Sequence, residues 1–187
     1  MIMGEAEFGA RAIHAIMAYV FPGLKFHMVG HSMGGVINLN MTMHPKFPLA
    51  ALATMVSLSS PIGVSPQALK RELPDYFNEI NTIFKPHEDV LHVNVKGGSR
   101  DILVQTNVER QSFSRFEVNV ATPFMNNVFH AIDHNSPYFH KPFLDAFVPA
   151  ALYAFITADD PIQVRYETVK DKLQFNSNFG LKDIGKA

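Results

Sequence analysis

Apolar residues recur at near-helical spacing through residues 5–20, where Phe8, Ile13, Ile16, Met17 and Val20 mark one stripe. Phe21-Pro22-Gly23 stops that helix. A short apolar run, Leu24 to Val29, ends at Gly30 and reads as a buried strand. A second helix is expected over 33–43, closed by His44-Pro45. Leu49 to Leu58 is apolar without alternation, the pattern of a strand covered on both faces. Pro74 to Phe84 reads as a helix with proline in its first turn. Strands are expected over 90–95, ended by Gly97-Gly98, and over 116–120. A last helix is expected over 143–157, kinked or started at Pro149, followed by a polar, frayed tail over 174–187. Strands alternating with helices make this an α/β chain with a mainly parallel sheet, in a single domain over 1–187.

One motif carries chemistry. Gly30-His31-Ser32-Met33-Gly34-Gly35 follows a strand and opens a helix, the context that a G-x-S-x-G nucleophile elbow requires. Ser32 is the candidate nucleophile, projected from the sheet by a tight strand-to-helix turn. Gly30 and Gly34 flank it, where side chains are expected to clash. The Met33 backbone N–H, at the helix N-terminus, is placed to hold a developing oxyanion. His31 fills the elbow's variable position, packed or near the pocket mouth.

A serine nucleophile needs a base and a group that orients the base. On this kind of fold they follow in the order Ser, acid, His. Asp101, just after the strand and glycines of VNVKGGSRD, fits the acid. His130, His134 and His140 are candidate bases, and His134 is preferred for its loop position after the last strand. Asp133 is the rival acid, but an immediate sequence neighbour of His134 is poorly placed to reach its ring, so it is expected to shape the loop. His130 and His134 stand four apart like a helical metal pair, yet no HExxH accompanies them, and no metal site is assigned. His87, Glu88, Asp89 and His92 read as a solvated connection. Phe124, Met125 and Phe129 are candidates to line an acyl pocket.

Composition narrows the classes. Sixteen Lys+Arg against seventeen Asp+Glu give a formal net charge of −1, and no long basic run exists, which argues against nucleic acid as a partner. With no cysteine, disulfides, thiolate metal sites and a cysteine nucleophile are excluded. A 47% hydrophobic content excludes disorder as the main state. Glu5, Glu7 and Arg11 interrupt the N-terminal segment, which is not read as a signal peptide. The longest apolar stretch, Ala146 to Ala158, contains Pro149 and falls short of the roughly 20 residues a spanning helix needs.

The segments GEAEFGARAIHAIMAYVFPGLKFHMVGHSMGGVIN, ATMVSLSSPIGVSP, DYFNEINTIF, HVNVKGGSRDILV and AIDHNSPYF occur in this order along the chain. In that order they resemble the GPI inositol-deacylases, lipase-like α/β-hydrolases of the endoplasmic reticulum. GHSMGG is shared by many lipases, and GGSRDILV is the more specific text. The chain departs from the family in lacking the Trp-Cys pair that usually follows the Asp-His segment. The resemblance implies Ser32 as nucleophile, Asp101 as acid and His134 as base. It further implies a GPI-anchor lipid as substrate, its inositol-linked acyl ester as the bond broken, an endoplasmic reticulum membrane setting for the intact protein, and no cofactor. A general lipase, carboxylesterase or thioesterase is the alternative within the fold. Only one helix and one strand fit ahead of Ser32, so the expectation is an α/β-hydrolase domain lacking its N-terminal strands. The strand whose loop would give the second oxyanion donor is among those missing, and an inactive fragment is therefore the remaining alternative.

Overall fold

The computed structural model describes residues 2–62, 84, 86–104 and 112–174. Among these residues four strands form one sheet, all parallel and in chain order: β1 (Phe26–His31), β2 (Leu52–Leu58), β3 (His87–Lys96) and β4 (Ser114–Ala121). Helices α1 (Ile2–Tyr19) and α2 (Met33–Met43) cover one face, and α3 (Lys141–Ile156) and α4 (Ile162–Leu173) cover the other. This is a doubly covered parallel α/β sheet of the α/β-hydrolase kind. The helix expected over 74–84 lies, except for Phe84, outside the described residues.

β2 is buried at every position, which explains its unbroken apolar run. Its side chains still alternate between two cores. Met55 packs with Met28 and Leu39 toward α1 and α2, while Val56 packs with Val93 and Val118 toward α3 and α4. On the second face Phe143 and Phe147 of α3 stack at 5.2 Å, and Phe143 is fully buried. Burying such a ring contributes about 1.5–3 kcal/mol.

Several expectations are corrected. α1 does not bury the stripe containing Phe8, Ile16 and Val20, which are exposed; it turns Ala6 and Ala10 inward. Small residues let it sit close on α2, and a Cβ at Gly9 would strike the Met41 sulfur. β1 runs two residues further than the apolar run, because Gly30 and His31 stay in register with Ser57 and Leu58. Leu49–Ala51 is a 3₁₀ turn ahead of β2. Pro149 lies inside α3, which starts at Lys141.

His87 to Asp89 and His92 are strand residues of β3, and His92 is fully buried. Its imidazole meets the Ser57 hydroxyl at 3.0 Å and lies 3.6 Å from the Glu117 carboxylate. Burial, and then the neighbouring His92, pulls the His87 imidazole below the ordinary histidine range.

α4 is an element the hydrophobic pattern did not reveal. Its inward stripe is Arg165, Val169 and Leu173, so a cation occupies one of the three inner positions. Arg165 is 2% exposed and donates to the Thr54 hydroxyl at 2.6 Å, the Ala154 carbonyl at 2.9 Å and the Ala53 carbonyl at 3.3 Å. It thereby joins the end of α3 to the start of β2. Gln174, expected to begin a frayed tail, instead bridges Met125 and donates to the Asn119 carbonyl; residues 175–187 lie outside the described residues.

Charge-assisted hydrogen bonds from a buried cation contribute about 1.5–3 kcal/mol, and unpaired carbonyls left behind add to the loss. Arg165→Met is expected to lower the unfolding free energy by about 2–4 kcal/mol in urea titration, with little change in the slope of the transition.

Candidate active site

β1 ends at His31, and the next residue breaks the strand sharply. Ser32 has φ 53° and ψ −129°, a left-handed conformation in a non-glycine residue, and α2 begins at once with Met33. Such strain costs on the order of 1–3 kcal/mol and persists where surrounding structure dictates it. Here the Ser32 N–H donates to the Leu58 carbonyl at the end of β2, 3.0 Å away. The chain then doubles back so tightly that a Cβ on Gly30 would lie 2.5 Å from the Gly35 nitrogen and 2.6 Å from the Gly34 carbonyl carbon. Gly34, expected to flank the turn for the same reason, meets nothing within 4 Å. Gly35 is the second obligatory glycine, because a Cβ there would run into the Ser60 side chain at 2.2 Å. The turn therefore needs the first and last glycines of GHSMGG.

The loops leaving β3 and β4 bring the other candidates to Ser32. His134 Nε2 lies 2.8 Å from Ser32 Oγ, and its Nδ1 lies 3.1 and 3.2 Å from the two carboxylate oxygens of Asp101. With Nδ1–H donating to Asp101, Nε2 is left to accept from the Ser32 hydroxyl. The Asp101 side chain is 1% exposed, and its Oδ1 also accepts from the Leu103 and Val104 N–H groups. Three donors thus fix a carboxylate that water scarcely reaches.

Gly97 and Gly98 build the acid's turn. Gly98 has φ +87°, and a Cβ on Gly97 would press on the Ile132 carbonyl at 2.7 Å and on the Asp101 Cβ at 2.9 Å. The Gly97 carbonyl accepts the Ile132 N–H and the Thr122 hydroxyl, each at 2.7 Å. The acid-bearing loop and the His134 loop are therefore bonded to one another two residues before His134.

The remaining candidates take other positions. Asp133 does not face the ring of His134. Its carboxylate accepts the Asn135 and Ser136 N–H groups at 3.0 Å and closes the turn after the histidine. The Ser136 side chain foremost, and then the Asn135 N–H, hold its carboxyl below the usual carboxylate range. His130 and His140 contact each other rather than Ser32. His31, left open between packing and the pocket mouth, donates from Nε2 to the His134 carbonyl at 2.7 Å, between the rings of His134 and Tyr138. Met125 is fully buried in the core, while Phe124 and Phe129 are exposed on the loop after β4. Among the described residues no three His, Asp or Glu side chains are grouped to hold a metal ion. Sequence reasoning missed Gly35, Ser60 and Gly97, whose roles depend on close approaches between segments distant in the chain.

Comparison with known proteins places these features in context. The family model described as the PGAP1-like alpha/beta domain matches residues 2–152. GPI inositol-deacylase A of Yarrowia lipolytica is 25% identical over 151 residues, covering 72% of this chain and 14% of that protein. GPI inositol-deacylase of Neurospora crassa is 26% identical over 137 residues, covering 66% of this chain and 11% of that protein. The chain thus spans a small part of the length of each of these relatives.

The glycine geometry yields a graded expectation. Gly30→Ala and Gly35→Ala, which force backbone or buried side chains apart, should each cost about 1–3 kcal/mol in thermal or urea unfolding. Gly34→Ala, in open space, should fold with near-unchanged stability. Equal losses at all three positions would contradict the described turn.

Proposed function

The chain belongs to the PGAP1-like alpha/beta domain family, and we propose that it is a serine ester hydrolase with Ser32 as nucleophile. The observation that carries this reading is the hydrogen-bonded series Ser32, His134, Asp101, built on a strained turn between strand and helix. In the proposed reaction Ser32 Oγ attacks the acyl carbonyl carbon while its proton passes to His134 Nε2. Asp101 holds the imidazole in the tautomer that can accept that proton and stabilises the imidazolium formed. The tetrahedral oxyanion meets the Met33 N–H, one of the first N–H groups of α2 and without a partner inside the helix. Collapse breaks the ester bond, and His134 returns the proton to the departing alkoxide. Water then attacks the acyl-serine, giving its proton to His134, and collapse breaks the bond to Ser32 Oγ, which takes that proton back as the fatty acid is released.

The substrate proposed is the acyl ester on the inositol of a GPI anchor, argued from the two relatives named GPI inositol-deacylase. Exposed apolar side chains on the segments after β3 and β4 are compatible with an acyl substrate. Ile102, Phe124, Phe129 and Phe139 are exposed on the loops at the C-terminal end of the sheet, the end at which Ser32 stands. Among the described residues no helix is long and apolar enough to cross a membrane. With that substrate, the proposed setting is the membrane of the endoplasmic reticulum. Hydrolysis of other acyl esters is the second reading, and the same exposed apolar side chains would serve it.

A fluorophosphonate probe tests the nucleophile directly. The folded chain should be labelled, and Ser32→Ala should not be. His134→Ala and Asp101→Ala should slow labelling by about 10⁴-fold. Absence of labelling in folded chain, or labelling that survives Ser32→Ala, would overturn the reading. Release of fatty acid from an inositol-acylated GPI lipid, compared with simple p-nitrophenyl esters, decides between the two substrates.

A further inference from the structure

The loop that carries His134 begins and ends with histidines that the proposed reaction does not use. His130 Nε2 lies 2.8 Å from His140 Nε2, the rings meeting edge to face with centroids 4.7 Å apart. Two imidazole nitrogens at that distance need one donor and one acceptor, and the outer nitrogens settle which is which. His130 Nδ1 lies 2.5 Å from the Val128 carbonyl, which can only accept, so Nδ1 carries the proton and Nε2 is the bare nitrogen. His140 Nδ1 accepts the Phe143 N–H at 3.2 Å as the N-cap of α3, so its proton is on Nε2. The series closes without conflict: Phe143 N–H to His140, His140 Nε2–H to His130, His130 Nδ1–H to the Val128 carbonyl.

Both ends of this series are core residues. Val128 is 3% exposed and Phe143 is fully buried, whereas His130 lies on the surface. The series therefore straps an exposed loop to the core at its two ends. Between the ends the loop is held by the Ile132 N–H on the Gly97 carbonyl and by the Asp133 turn. His134 stands between these two inner ties. A metal ion between the two Nε2 atoms is disfavoured by the same bookkeeping, since a ligating Nε2 on His140 would put the proton on Nδ1 and cost α3 its cap.

We infer that His130 and His140 are positioning residues, a neutral imidazole–imidazole clasp that holds the His134 loop at the distance at which Nε2 meets Ser32. The inference rests on the proposed role of His134. Small displacements of a catalytic group can cost up to about 10²-fold in rate, so a loop tied at both ends has kinetic value beyond its contribution to stability.

The test uses His130, because His140 also caps a helix. His130→Ala removes the acceptor, and His130→Gln restores one, since its amide oxygen can take the His140 Nε2–H. His130→Ala should lower kcat of ester hydrolysis about 10-fold with KM little changed, and His130→Gln should recover most of that loss. Equal rates in wild type and His130→Ala, or a loss that His130→Gln does not repair, would overturn the positioning role. Imidazole ¹⁵N spectra of the wild-type chain at neutral pH read the clasp independently of activity. They should show His130 protonated on Nδ1 and His140 on Nε2. Both rings in the Nε2–H form would overturn the clasp, whatever the activity. A chain that shows the assigned tautomers but does not react with the fluorophosphonate would instead fail the hydrolase reading.

Discussion

The Gly97 carbonyl, at the end of β3, is the junction on which the geometry of the site depends. It accepts the Ile132 N–H from the loop beyond β4 and the Thr122 hydroxyl from the 3₁₀ turn that follows that strand. Without a side chain at Gly97, the Ile132 carbonyl can approach to a distance no Cβ would permit. Asp101 and His134 thus reach each other across two loops that are themselves hydrogen-bonded. The parallel sheet does the rest. Neighbouring strands in register end at one edge, so the residues that follow β1, β3 and β4 emerge side by side.

Each of the three side chains is held by a different device. Ser32 is held by backbone strain, in a turn that two glycines make sterically possible and that the Leu58 carbonyl fastens to β2. Asp101 is held by hydrogen bonds from Leu103, Val104 and His134. His134 is held through its main chain, with His31 donating to its carbonyl and Asp133 closing the turn after it. His31 is the residue immediately before Ser32, so the elbow and the His134 loop are joined directly as well as through the Ser32–His134 bond. Rigid supports of this kind favour a fixed distance between Ser32 and His134.

The sequence made visible whatever depends on local spacing. The elbow was legible in GHSMGG because strand, turn and helix are consecutive, and the residues brought to Ser32 are the two preferred from chain order and loop position. Parallel α/β architecture was legible in the apolar run of β2. What was not legible depends on contacts between distant segments. Gly34 and Gly35 look alike in the sequence, and only the position of Ser60 separates them. α4 went unseen because its inner stripe contains Arg165, whose partners Thr54 and Ala154 belong to other elements. The charged start of β3 read as a connection because His87, Glu88 and Asp89 precede the buried part of the strand.

The fold contains a second set of serine, histidine and carboxylate, and the two differ in where the serine is placed. Ser57, His92 and Glu117 lie across β2, β3 and β4, with Ser57 Oγ 3.0 Å from His92 Nε2 and His92 Nδ1 3.6 Å from the Glu117 carboxylate. Ser57 and His92 are fully buried, and Asn94 donates to Asn119 beside them. Ser57 sits within a regular strand, so its hydroxyl points into the packed face under α2, and no acyl carbonyl could approach it. There the hydroxyl satisfies a buried imidazole, the arrangement expected of polar groups removed from water. Ser32 differs by one backbone feature, a φ of 53° at the point where the strand stops. That single departure turns the hydroxyl out of the sheet toward the loops of its C-terminal edge. Each set joins a serine, a histidine and a carboxylate; placement of the serine on a strand or on a turn separates them.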